Sequence, residues 1–276
     1  MKLLAWDTSS KTGALSAIEW DRQSTAGWAG VRVLAEWSLN VEATHSERLL
    51  WAVEQMLKSA SWKLEDVDVF AVGLGPGSFT GLRIGVTTAR TLAHSLGKPL
   101  VGLSSLAALA RPAASWAATQ GGKTLVAAAT DACKGEVFAL WGQASSVIDC
   151  ACRANGDYPG VWKRGVEEQV LTPDGLAKQL RKRLKETKAT QWIAIGEGFK
   201  RYPDVWPKAK QLTPPSLLSD SVTGRALGQL AWEAVQAGAA ESRDPLTVRP
   251  RYLRAPDAEL KLKRGELPPG PTRGIS

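Results

Sequence analysis

The feature that most constrains this chain is an internal echo. Residues 3–18 (LLAWDTSSKTGALSAI) and 127–140 (AAATDACKGEVFAL) each run an apolar strand into an aspartate, a short polar turn and a second strand. Asp7 and Asp131 therefore hold equivalent places, and two related lobes are expected rather than one. The length of 276 residues agrees with about two units of roughly 150 residues each. After the first hairpin the pattern predicts a strand at 31–39, a helix at 44–60 capped by Thr44 or Ser46, a buried strand at 67–72, a helix at 80–96, a strand at 99–103 and a helix at 104–118. The second half predicts strands at 124–131 and 135–142, an irregular stretch, a helix at 173–188, a strand at 191–195 and a helix at 220–238. The expected boundaries are 1–110 for the first lobe, 111–256 for the second, and a flexible Pro/Gly-containing tail at 257–276.

A duplicated βββαβα lobe with an acid closing each first strand is the plan of the actin-like ATPase superfold, an α/β architecture, here with the second lobe reduced. In such a fold the strand carboxyl ends converge where the lobes face each other. Asp7, Thr8, Ser9 and Asp131 are thus the candidates for vestigial nucleotide turns, although Thr8-Ser9-Ser10 brings no lysine or second acid.

Composition narrows the function classes. Hydrophobic residues make up 44% and charged residues 22%, which is ordinary for a globular protein and excludes disorder over most of the chain. The N-terminal apolar run is broken by Asp7, too early for a signal-peptide core. The best apolar stretch, 101–118, contains Arg111 and Pro112, so no membrane span is expected and the location is read as cytoplasmic. Cys133, Cys150 and Cys152 are too few for a disulfide framework. The two histidines, His45 and His94, fall on different predicted helices, which removes the paired-histidine zinc motifs, and no nucleophile–base pairing points to a peptidase.

The sharpest local signal is the block GLGPGSFTGLRIG at 73–85, a glycine-rich turn entering a helix. It lacks the Gly-Lys-Ser/Thr of a Walker A loop and the downstream acid of a dinucleotide fold. A helix N-terminus favours an anion, so Gly75, Pro76, Gly77, Ser78, Phe79, Thr80 and Arg83 are either anion contacts or a structural turn. Along that helix Gly81, Gly85, Ala89 and Ala93 recur every four residues and form one stripe of small side chains. Such a stripe admits a close backbone, either from within the lobe or from a partner's helices in a four-helix bundle.

The start LLAWDTSS, the helix opening His45-Ser46-Glu47-Arg48-Leu49-Leu50, the block at 71–110, TDACKGEVFAL and Pro250-Arg251-Tyr252-Leu253-Arg254 resemble the bacterial TsaB (YeaZ) family. The resemblance is strong over 1–110, patchy over 123–142 and 190–254, and absent after about 256. It implies a cytoplasmic, non-catalytic scaffold subunit in making threonylcarbamoyladenosine beside the tRNA anticodon. Such a subunit pairs with the catalytic paralogue TsaD through the helices at 44–60 and 80–96. The ATPase TsaE docks on the pair, and the subunit forms a homodimer in isolation. It implies no cofactor on this subunit alone, with ATP and magnesium used by the complex. The implied interface comprises His45, Arg48, Leu49, Ala52, Val53, Met56, Gly81, Gly85, Ala89 and Ala93, and a bulky residue at Gly85 is expected to abolish pairing while leaving the monomer folded. Two positions depart from the family pattern: Cys133-Lys134 stands where an arginine is usual, and Trp51 where a proline is common. The other function class open to this fold is an independent ATP-dependent phosphotransferase, which needs a carboxylate-held magnesium and phosphate-binding turns in both lobes.

Charge is segregated. The first 110 residues are net neutral, so the whole formal charge of +8 lies in residues 111–276, densest between Lys178 and Lys210. Arg181, Arg183 and Lys185 are the candidates for facing tRNA. The 12 tryptophans are spread through both halves and are expected to pack rather than to stack on bases.

Overall fold

A computed structural model describes residues 1–40, 45–151, 166–207, 211–213, 215, 218–238 and 244–254, without the side chains of 39, 40, 45–47 and 149–151. The proposed cap Thr44, the side chains of Ser46, His45 and Cys150, Cys152, and the tail at 257–276 lie outside the described residues.

The first lobe contains β1 (Lys2–Asp7), β2 (Thr12–Glu19), β3 (Arg32–Asn40), α1 (His45–Ala60), β4 (Val69–Gly73), α2 (Phe79–Ser95), β5 (Leu100–Leu103) and α3 (Ser105–Thr119). The second contains β6 (Thr124–Asp131), β7 (Val137–Gln143), α4 (Ala144–Ala151), β8 (Val166–Leu171), α5 (Pro173–Thr187), β9 (Gln191–Ile195), α6 (Glu197–Arg201), β10 (Gln211–Leu212) and α7 (Gly224–Gln236). The sheets run β3-β2-β1-β4-β5 and β8-β7-β6-β9-β10, the same order twice. In both, the hairpin strands are antiparallel, whereas β1–β4 and β6–β9 are parallel. The strand order expected from the hairpins recurs in both lobes, and the architecture is the actin-like one.

Local chemistry sets the helix starts. Ser78, Ser104, Thr172 and Thr223 each accept a hydrogen bond from a backbone N–H three residues on, at 3.0–3.2 Å. Each such cap satisfies a donor the helix itself cannot, worth about 1 kcal/mol.

Three apolar clusters stack the elements in layers. Leu49, Val53, Met56, Val86 and Ala89 of α1 and α2 cover one face of the first sheet. Leu106, Ala110, Leu227 and Leu230 of α3 and α7, with α4, fill the space between the two sheets. Leu176, Leu180 and Leu184 of α5, with Phe199 of α6, cover the far face of the second sheet. Trp6, Trp141 and Trp192 are fully buried, in keeping with a packing role.

The structure corrects several expectations. β8 lies where the chain was read as irregular. It is an edge strand whose inward position carries Glu168, so its apolar alternation is broken at the residue that would reveal it. α4 was not anticipated either. The reduction of the second lobe appears at its far edge, where β10 has two residues and α6 five. The boundary at 110 cuts through α3, and α7, assigned to the second lobe, returns to the first. A side chain on Gly224 would overlap the Leu15 carbonyl, and one on Gly228 would press on Ser16 Oγ at 2.8 Å. Arg111 of α3 and Glu233 of α7 form a buried two-point ion pair between the sheets, at 3.3 and 2.5 Å.

Candidate functional site

The end of β1 meets the glycine-rich turn, and every polar group of Asp7 is engaged there. Asp7 is buried; one carboxylate oxygen accepts from the Ser9 N–H at 2.8 Å and the Ser9 hydroxyl at 2.5 Å, and the other accepts from the Ser105 hydroxyl at 2.5 Å. Ser105 Oγ in turn accepts from the Gly75 N–H at 3.2 Å. The Ser78 N–H donates to the Ser9 carbonyl at 2.6 Å and the Gly81 N–H to Ser78 Oγ at 3.2 Å. The N–H groups of Gly75, Ser78 and Gly81 are thus bonded within the chain. The Gly75–Pro76 peptide is cis, and Gly75 has a φ of 98°.

The small-residue stripe faces inward. A side chain on Gly73 would overlap the Asp7 carboxylate, on Gly77 the Ser9 carbonyl, on Gly81 the Thr8 carbonyl and on Gly85 the Thr8 hydroxyl. The close approach is used: Thr8 Oγ1 donates to the Gly81 carbonyl at 2.7 Å and Trp6 Nε1 to the Gly85 carbonyl at 3.0 Å. Ala89 and Ala93 continue the stripe into the core beside Leu4 and Phe70, and Leu49, Ala52, Val53 and Met56 of α1 are buried with them. Eight of the residues assigned to a partner interface are therefore interior, because the apolar face of an amphipathic helix goes first to its own sheet. Of the remaining two, Arg48 is exposed and the His45 side chain lies outside the described residues.

The outward face carries different residues. Leu50 and Trp51 of α1 are 52% and 53% exposed, and Trp51 rests on Trp37 of β3 with ring centroids 5.8 Å apart. On α2, Thr80, Arg83, Thr87, Thr91 and His94 point outward at helical spacing.

In the second lobe Asp131 accepts from the Cys133 N–H at 3.1 Å and is paired with Arg201 at 2.7 Å. Cys133, Lys134 and Gly135 make the turn with φ of 60°, 53° and 78°, and Cys133 is an exposed free thiol. Asp7 and Asp131 are thus equivalent in topology but opposite in chemistry, one closed by hydroxyls and the other by a guanidinium. Among the described residues, no group of three or more His, Cys, Asp or Glu is arranged to hold a metal, and no helix is long and apolar enough to cross a membrane.

Between the two turns runs the segment 244–254. The Arg251 N–H donates to the Leu74 carbonyl at 2.7 Å, beside the glycine-rich turn. The Arg251 guanidinium pairs with Glu168, whose carboxylate also accepts from the Ser104 hydroxyl at 2.8 Å. Tyr252 stacks on Phe79 at 4.9 Å, Arg83 covers Phe79 at 5.2 Å, and Arg254 Nη1 donates to the Ala132 carbonyl at 2.6 Å. Burial raises the Tyr252 phenol above its ordinary value, partly opposed by Arg83. The segment is a strap that bonds to both lobes, at Leu74 in the first and at Glu168 and Ala132 in the second.

The basic candidates do not share one face. Arg181 and Lys185 of α5 are exposed, and Arg181 donates to the Val205 carbonyl at 2.9 Å. Arg183 is half-buried and pairs with Glu186 at 3.3 Å.

Comparison with known proteins decides the family. The Escherichia coli protein named "tRNA threonylcarbamoyladenosine biosynthesis protein TsaB" is 31% identical over 205 residues, 74% of this chain and 75% of its own. The chain belongs to the TsaB (YeaZ) family. YeaZ from Pseudomonas aeruginosa superposes with a TM-score of 0.64 at 26% identity, over 91% of this chain and 99% of its own. The model of a related family, described as "TsaD: tRNA N6-adenosine threonylcarbamoyltransferase", matches residues 39–261. A protein of that activity from Brachyspira hyodysenteriae is 44% identical over 64 residues, 23% of this chain and 19% of its own. This TsaB-family chain thus shares its plan with the transferase family.

Three positioning residues of the TsaB-family chain were not singled out from the sequence: Ser105, Glu168 and Arg251. Arg251 stood within a recognised run, and the pair Ser104-Ser105 at the start of a helix was a visible signal. Glu168 had none, because its partners lie 64 and 83 positions away.

Proposed function

We propose that this chain is a non-catalytic partner subunit in tRNA threonylcarbamoyladenosine biosynthesis, pairing with the catalytic paralogue TsaD through the outward faces of α1 and α2. The observation that carries the reading is the adjacent pair Leu50 and Trp51, large apolar side chains more than half exposed on a helix whose other face is fully buried. Aromatic anchors of this kind carry much of the energy of protein interfaces. Arg48 and the α2 residues Arg83, Thr87 and Thr91 form its polar surround. Engagement of both Asp7 oxygens by Ser9 and Ser105, and of Asp131 by Arg201, supports a role without chemistry of its own, and weighs against the phosphotransferase reading. In the assembled complex ATP and magnesium belong to the other subunits, with TsaE docking on the pair. Without a partner, the Leu50–Trp51 surface associates with a second copy.

The test is co-elution of the full chain with TsaD, comparing wild type with Leu50→Glu/Trp51→Glu. The variant is expected to keep its circular dichroism spectrum, to lose co-elution and to lose support of threonylcarbamoyl transfer. Undiminished co-elution overturns the reading.

A further inference from the structure

The helix α5 presents a row of exposed cations, of which Arg181 also donates to the Val205 carbonyl at 2.9 Å. Lys178, Arg181, Lys182 and Lys185 are all exposed. At 100° per residue they fall within an arc of about 100°, and Lys188, in the left-handed cap after the helix, extends the row to about 15 Å. Among the described residues, Lys182 alone in this row has a carboxylate within ion-pair distance, Glu186 at 3.8 Å. The helix dipole accounts for cations in the last turn, such as Lys185. It does not account for Lys178, Arg181 and Lys182, which lie further back.

The chemistry of the surface narrows its partner. Among the described residues, the large hydrophobic residues that stand exposed are Leu50, Trp51, Phe79, Leu246 and Tyr252, none of them on α5. A protein hot spot needs an apolar or aromatic anchor, and a helix lying on a membrane needs a free apolar flank. The apolar flank of α5, Leu176, Leu180 and Leu184, is already buried against its own sheet. A row of cations without anchors fits a phosphate backbone, which asks only for charge at spaced points. The row also lies on the outer layer of the second lobe, while α1 and α2 cover the outer layer of the first. A protein on the first lobe leaves it open.

We propose that Lys178, Arg181, Lys182, Lys185 and Lys188 form a docking surface for the phosphate backbone of tRNA. Arg183, half-buried and paired with Glu186, is not part of it. The proposal rests on the tRNA-modifying role proposed above, and it assigns this chain a hand in holding the substrate, separate from its hold on the paralogue.

The experiment measures binding of an unmodified tRNA transcript to the full chain, alone and with TsaD, by fluorescence anisotropy between about 50 and 200 mM salt. The variant is Lys178→Glu/Lys182→Glu/Lys185→Glu; these side chains are exposed, and an unchanged melting curve confirms the fold. Loss of three phosphate contacts should weaken binding at least about tenfold at the lower salt and flatten the log–log salt slope by about 2. Reversal of Lys11, Lys58 and Lys98 on the first lobe should do neither. Equal affinity and slope for the α5 variant and wild type overturn the proposal, as does loss of TsaD binding with tRNA affinity intact, which would make the row a protein contact. If wild type binds tRNA through α5 but never pairs with TsaD, the docking surface stands and the partner reading fails. If pairing is intact and the α5 variant is silent, the reverse holds.

Discussion

Thr8 fills the space that a side chain on Gly85 would need, and its hydroxyl is bonded one turn away, to the Gly81 carbonyl. The relationship reverses an expectation. Gly85 looked like a position where bulk would block a partner and spare the monomer, but the blocked group is Thr8 of the same chain. Gly85→Val should destabilise the isolated chain by about 1–3 kcal/mol through overpacking. Thr8→Ala in the same background should recover part of the loss, read by denaturant unfolding of the chain alone. Equal stability of Gly85→Val and wild type would contradict the packing described.

Arg111 and Glu233 tie the two helices of the central layer with side chains only 9% and 5% exposed. Removing one partner of a buried pair strands the other, at a cost of about 3–5 kcal/mol. Glu233→Leu should therefore unfold at markedly lower denaturant than wild type, whereas Arg111→Met/Glu233→Leu should recover most of the difference. A double variant no better than the single one would show that the pair is not coupled.

Glu168 is fully buried between Ser104 and Arg251. Arg251→Ala should release the strap, measured as faster hydrogen exchange and proteolytic cleavage within 244–254. A smaller effect is expected for Tyr252→Ala, whose stack on Phe79 is exposed. Unchanged exchange in Arg251→Ala would mean that backbone contacts hold the strap.

The Tyr252 phenol has its pKa raised by burial. A raised folded-state pKa favours the neutral phenol, so its contribution to stability is complete below the ordinary value of about 10 and is lost as pH rises through the folded value. The difference between the phenolate absorbance titrations of wild type and Tyr252→Phe should show a transition above pH 10. A transition at or below 10 would mean that the partial burial beside Phe79 does not reach the hydroxyl.

Much of this was legible locally. The helices at 80–96, 104–118 and 173–188 form close to where short-range patterns put them, and the echo around Asp7 and Asp131 announced two lobes. What escaped depends on distant partners. Glu168 disguised β8 because a charge at an inward position makes sense only once Arg251 is beside it. The stripe at Gly81 and Gly85 was visible, but spacing states that something approaches, not what. Trp51 stood out as a departure from the family pattern, but Leu50 was hidden in a helix whose interior face resembles an interface equally well, and only burial separates the two faces.

The placement of α7 has a consequence for biosynthesis. The inner face of the first sheet, with Leu3, Ala5, Ala14 and Ile18, is shared between α3 and a helix that begins at Gly224. At roughly 5–20 residues per second, translation leaves that face half covered for on the order of ten seconds after β5 emerges. The first lobe is complete only when α7 has left the ribosome, after the whole second sheet, so the lobes mature together, and a nascent chain stalled in the second lobe is a sticky one.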